Sequence, residues 1–130
     1  MKKKILIIAS NYYSNITNNL IVGAKKRLLN KDYKLVIKFV PGTFEIPLAV
    51  IKNIKKVDAC IVLGCVIKGE TPHFHYICRS TFDAIMQISL KFKKPIGNGI
   101  ITSLNKSQAQ KRSKKKGQEA SHAVIKLLNL

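Results

Sequence analysis

The segment G-C-V-I-K-G-E-T at 64–71 comes within one residue of the phosphate-binding loop pattern G-x4-G-K-[ST]. The odd residue is decisive. Glu70 stands where that loop needs a lysine, and a carboxylate there repels nucleotide phosphates instead of neutralising them. A nucleoside triphosphatase is therefore rejected. What survives is a glycine-flanked loop running into a helix. Gly69 permits close backbone approach, and the amides that open a helix favour an anion, so the loop suits a single phosphate or a similar group. His73 follows at the helix entrance, beside this anion pocket, and is a candidate general acid/base. The alternative is a surface histidine without a role, which is the reading taken for His75 and His122.

Three other segments invite a chemical reading. In P-G-T-F-E-I-P at 41–47, proline and glycine constrain the backbone around a lone carboxylate at a helix start. Glu45 there either interacts with the helix dipole or accepts hydrogen bonds from ligand hydroxyls. Tyr12 and Tyr13 lie just past the first apolar run, where an aromatic ring can stack on a planar ligand. The run K-R-S-K-K-K at 111–116 is the densest basic stretch. It is a solvated face, an RNA contact or a clamp for a phosphorylated substrate. Arg112, its one arginine, offers phosphate a bidentate grip that lysine cannot.

A metal site is weighed and set aside. Cys60 and Cys65 are five positions apart on an apparent strand and so point to opposite faces, and His73-x-His75 is not a helical ligand pair. No nucleophile signature such as G-x-S-x-G occurs.

These residues need elements to position them. Ile5–Ala9 and Ala59–Leu63 are short apolar runs without alternation, suited to strands buried on both faces; Tyr33–Val40 and Ile96–Thr102 read as further strands. Ile16, Leu20, Ala24 and Leu28 recur at helical spacing. Glu45–Lys55 and Phe74–Phe92 are also helical, and Gly64–His73 is left as loop. Asn105–Lys116 and Gln118–Leu128 read as two helices with Gly117 as the break between them. The β-α alternation predicts an α/β fold: a four-stranded parallel sheet with helices on both faces, a three-layer α-β-α sandwich of the flavodoxin-like kind. Ligands bind such sheets beyond the carboxyl ends of the strands. Those ends are Ser10–Tyr13, Pro41–Glu45, Gly64–His73 and Thr102–Asn105, so the residues singled out above fall on one edge.

Bulk properties bound the rest. The 130 residues make one domain, 1–130, with 46% hydrophobic and 23% charged residues, an ordinary globular balance. No apolar run approaches the roughly 18–20 residues of a membrane span. The charged start of the chain resembles a signal peptide, but its apolar part ends at Ala9, so a signal is rejected and the cytoplasm expected. The three cysteines, without a CxxC pair, are read as reduced thiols. Lys plus Arg is 24 against 6 for Asp plus Glu, a net charge of +18. That balance raises a nucleic-acid-binding module as the rival function, although no recognised nucleic-acid motif accompanies it, and lysines filling a solvated surface explain it as well.

Taken in order, Tyr12 before Ile16-Thr17, P-G-T-F-E-I-P at 41–47, G-C-V-I-K-G-E-T-P-H-F at 64–74 and P-x-x-N-G-I-I-T at 95–102 resemble the motifs of the lumazine synthase family. The resemblance runs from about Lys4 to the C-terminus. It implies condensation of 5-amino-6-(D-ribitylamino)uracil with 3,4-dihydroxy-2-butanone 4-phosphate, releasing phosphate and water, with no metal or organic cofactor. It implies that Tyr12 stacks on the pyrimidine, that Thr43, Phe44 and Glu45 hold the ribityl chain, and that Cys65, Val66 and Ile67 turn backbone toward the pyrimidine. Glu70 and Thr71 match the phosphate-side loop, His73 the catalytic histidine, and Arg112 the phosphate-binding arginine. Asn98 matches a pyrimidine-site position supplied by a neighbouring subunit. The chain departs from the usual pattern at Tyr12-Tyr13, where Phe or Trp precedes Asn, at Asn98, where an aromatic is frequent, and in a shorter loop between Arg112 and Gly117. The family forms pentamers, some assembled into capsids, so a homopentamer is expected and the capsid left open.

Overall fold

Residues 2–29 and 32–130 are described by a computed structural model of the chain. Its elements follow in the order β1 (Lys3–Ser10), α1 (Ser14–Leu28), β2 (Tyr33–Val40), α2 (Ile46–Asn53), β3 (Ala59–Ile67), α3 (His73–Phe92), β4 (Ile96–Ser103) and α4 (Lys106–Leu128). Single 3-10 turns, Thr43–Glu45 and Ile54–Lys56, flank α2. The strands form one parallel sheet in the order β2-β1-β3-β4. Helices cover both faces, giving the expected three-layer α/β sandwich.

The apolar runs without alternation become the central strands. In β1 every residue from Ile5 to Ser10 is buried, and alternate side chains feed different cores. Ile5, Ile7 and Ala9 join α1 and α4 on one face, while Leu6 and Ile8 join α2 and α3 on the other. β3 divides in the same way, with Cys65 in the first core and Cys60 in the second. α1 buries Ile16, Leu20, Ala24 and Leu28, the helical spacing read from sequence. Among the described residues no helix is long and apolar enough to cross a membrane.

Two boundaries differ from expectation, and both matter for the site. First, β3 does not end at Leu63 but runs on to Ile67, so only the short segment from Lys68 to Pro72 separates it from α3. The extension is held by pairing of Gly64–Ile67 with Ile100–Ser103 of β4, a long-range contact that local composition does not display. Second, Gly117 does not break a helix. α4 is continuous from Lys106 to Leu128, and the expected loop between Arg112 and Gly117 is helical. Gly117 instead marks a close approach of α4 to α1: a Cβ there would stand 2.2 Å from the Leu20 carbonyl oxygen. Gly23 answers it from α1, where a Cβ would meet the Lys114 carbonyl oxygen at 2.1 Å. Small buried residues, Ala109, Ser113, Ala120 and Ser121, line the rest of the α4 seam, and the Ser121 hydroxyl donates to the Ala24 carbonyl at 2.8 Å.

Candidate active site

All four strands are parallel, so their carboxyl ends share one edge, and the main cleft opens there. It has a volume of about 480 Å³. Its sides come from the segment after β1 (Tyr12, Tyr13), the turn after β2 (Pro41 to Glu45), the end of β3 (Cys65 to Ile67) and the entry to α3 (Gly69, Thr71, His73).

The strand register explains why β3 supplies a wall. β1 pairs with β3 only from Ile5↔Ala59 to Ala9↔Leu63, after which the chain leaves toward α1. β3 continues for four residues with β4 on one side and, among the described residues, no strand on the other. Cys65–Ile67 line the cleft along that side, and a strand edge without a neighbouring strand is a row of donors and acceptors for a planar polar ligand. The buried Ser10 hydroxyl, at the end of β1, has no hydrogen-bond partner among the described residues.

The turn at 41–47 is built to present its side chains. Gly42 is extended, the Glu45 amide donates to the Gly42 carbonyl at 3.2 Å, and Pro47 lies in the first turn of α2, where its missing amide hydrogen costs nothing. Thr43 is buried beneath the turn while Phe44 and the Glu45 carboxylate are exposed above it. At the other wall, the His73 amide donates to the Thr71 hydroxyl at 3.4 Å, and the His75 amide to the Pro72 carbonyl at 3.0 Å, which fixes how the loop enters α3. Phe74 and Ile77 add an apolar face. Neither was singled out from sequence; for Ile77, four residues after His73 at the helix entrance, helical spacing was the available signal.

Of the residues named from sequence, the cleft brings together Tyr12, Thr43, Phe44, Glu45, Cys65, Val66, Ile67, Thr71 and His73. Glu70, Asn98 and Arg112 stand outside its walls. Glu70 is exposed on the loop between the cleft residues Gly69 and Thr71. Asn98 lies along β4, opposite Val62, and its side-chain oxygen accepts from the Ile100 amide at 3.0 Å. Arg112 is on α4, where its guanidinium donates to the Thr102 carbonyl at 3.1 Å. His122 is far from this edge, in a shallow hollow with Arg27, Ile125, Lys126 and Asn129.

Burial pushes the Cys65 thiol up to about 11, with the nearby Arg112 charge opposing the rise, which favours the neutral thiol over the nucleophilic thiolate. Burial, then the neighbouring Tyr12 and Cys65, also raise the Tyr13 phenol. The described residues contain no group of three or more His, Cys, Asp or Glu placed to hold a metal ion. The arrangement offers a stacking ring, an open backbone edge, a carboxylate and an imidazole around an uncharged floor.

Comparison with known proteins identifies the family. Residues 2–130 match the family model for 6,7-dimethyl-8-ribityllumazine synthase. The chain is 38% identical to the 6,7-dimethyl-8-ribityllumazine synthase of Campylobacter curvus over 99% of its own length and 88% of that protein. It is 37% identical to the enzyme of the same name from Phocaeicola vulgatus, over 95% of the chain and 79% of the relative. For the one from Micrococcus luteus the identity is 32%, over 93% and 80%. A family match across the whole described fold, with relatives similar over nearly their full length, places this chain in the 6,7-dimethyl-8-ribityllumazine synthase family.

Proposed function

We propose that the chain, as a single domain, condenses 5-amino-6-(D-ribitylamino)uracil with 3,4-dihydroxy-2-butanone 4-phosphate, yielding 6,7-dimethyl-8-ribityllumazine, phosphate and water. The observation that carries this reading is the gathering of Tyr12, the Thr43–Glu45 turn, the open Cys65–Ile67 edge and His73 around one cleft. Tyr12 stacks on the pyrimidine, whose polar rim pairs with the open β3 edge. Thr43 and Glu45 take hydroxyls of the ribityl chain. The phosphate lies on the Glu70-Thr71 side of the cleft, against the backbone of the loop that enters α3, where Gly69 permits close approach.

The amine condenses with the ketone, phosphate leaves, and the ring closes. Each step moves a proton, and His73 sits at the α3 entrance between the two substrates to carry it. Holding both reactants in one cleft supplies much of the remaining acceleration, so no metal or organic cofactor is required.

Arg112 and Asn98 belong to this reading through assembly. Both lie outside the cleft of their own chain; on this reading Arg112 takes the phosphate, and a neighbouring copy supplies Asn98 to a cleft not its own. Exposed apolar side chains support a homopentamer: Leu48 and Ile51 on α2, and Tyr76, Met86 and Leu90 on α3. A particle five times the 14.6 kDa chain, or twelve such rings, is the expected mass by light scattering, and a monomer at working concentration would refute the assembly. Three free cysteines suit the reducing cytoplasm, where we place the enzyme. The decisive test mixes the protein with both substrates and follows lumazine absorbance. A rate no faster than the spontaneous reaction would overturn the assignment.

A further inference from the structure

We propose that Tyr13 is a positioning residue for the planar substrate, its ring holding the Tyr12 ring in the orientation that stacks. The inference rests on the reaction proposed above.

Tyr12 is 71% exposed, on the short segment between β1 and α1. Such a ring, left to itself, samples several rotamers, and a ligand that stacks on it must bear the cost of ordering it. Tyr12 is not left to itself. Its ring meets that of Tyr13 edge to face, with centroids 4.9 Å apart and planes at 77°. This is the favoured geometry for two aromatic quadrupoles. Tyr13 is anchored where Tyr12 is not. It immediately precedes α1, its carbonyl accepts the Thr17 amide at 2.9 Å, and its ring packs against the core shared by α1 and α4. Tyr13 also lines the cleft. It is thus fixed on the protein side, in contact with the exposed Tyr12 ring, and at the edge of the cleft. The raised phenol keeps it uncharged at working pH, so the ring contributes shape and quadrupole, not charge.

The role lies in the ring, so Tyr13→Phe and Tyr13→Leu separate it from a merely structural one. Steady-state kinetics are measured with each substrate varied in turn, beside thermal unfolding to confirm that the variants fold. Tyr13→Leu is expected to raise KM for the ribitylaminouracil about 2- to 12-fold, the range to which an edge-to-face pair of about 0.5–1.5 kcal/mol converts at 1.4 kcal/mol per tenfold. KM for the phosphorylated ketone and kcat stay within about twofold, because those depend on the opposite wall. Tyr13→Phe restores the wild-type KM. The proposal is overturned if Tyr13→Leu leaves the pyrimidine KM unchanged, if it raises both KM values alike, or if Tyr13→Phe behaves as Tyr13→Leu. An inactive wild-type protein would sink the reaction instead. Calorimetric titration with the ribitylaminouracil alone then decides, and equal affinity in wild type and Tyr13→Leu overturns the positioning role.

Discussion

Replacing Gly117 with alanine tests the helix crossing that organises one face of the sheet. In a solvated helix this change stabilises by about 1 kcal/mol, because alanine loses less backbone entropy than glycine. Here the sign should reverse. The added Cβ would lie 2.2 Å from the Leu20 carbonyl oxygen and 2.9 Å from the Ala24 amide nitrogen, whereas ordinary contact begins at 3.4 Å. The atoms it meets are backbone and cannot rotate away, so α4 and α1 must part by about 1 Å, loosening Leu20, Ala24 and Ala120 in the core between them. Overpacking of this kind costs up to about 3 kcal/mol, and subtracting the propensity gain leaves a net loss of about 2 kcal/mol. For a chain of this size that lowers Tm by about 6–10 °C. Urea unfolding followed by circular dichroism at fixed protein concentration measures it directly. A midpoint that rises would refute the close crossing and restore the picture of Gly117 as a solvated break between two helices.

Other outcomes follow from the same structure. His73→Ala should lower kcat by about 100-fold or more with near-normal substrate affinity, the scale of a lost general acid/base; unchanged turnover would remove its role. At pH 8, iodoacetamide followed by mass spectrometry should label the half-buried Cys78 first and the buried Cys60 and Cys65 slowly, and the reverse order would contradict their burial. The Cys60 thiol is pushed up from 9.0 to about 12 by burial, so the fold favours its protonated form. That contribution is whole below about pH 9 and is lost as pH rises toward 12, at up to about 1.4 kcal/mol per pH unit. Cys60→Ala should flatten the alkaline fall in stability, and an unchanged slope would count against the assignment. Asp58 accepts the Lys4 amide at 2.7 Å and donates its own amide to the Lys4 carbonyl at 2.8 Å, tying the start of β1 to the lead into β3. Asp58→Ala should therefore cost about 1–2 kcal/mol by chemical denaturation, while a loss below a few tenths would show the tie to be idle.

Much of this molecule was open to a reading along the chain. Ile5–Ala9 and Ala59–Leu63 lack alternation because both of their faces are buried, and α1 repeats every fourth residue because one of its faces is. Those patterns record local environment, which is why they give element type and order, and through them the parallel sheet and the edge that carries the cleft. Among the motif residues of that edge, Tyr12, Glu45 and His73 stood out because they sit next to turns that composition marks, while Thr43, Phe44 and Cys65–Ile67 were named only through the family resemblance. What no stretch of chain encodes by itself is how distant stretches meet. The end of β3 reads as loop because its last four residues are held from one side only, by β4, and the open side becomes a wall of the cleft. Gly117 reads as a break because its partner, the Leu20 carbonyl, is nearly a hundred residues away. Tyr13 had no visible role until packing set its ring between the core and Tyr12. Asn98 and Arg112 sit on the sheet edge strand and on α4, outside the cleft of their own chain. Register, helix crossing and ring contact depend on pairs of residues brought together only by folding, and tertiary structure alone decided them.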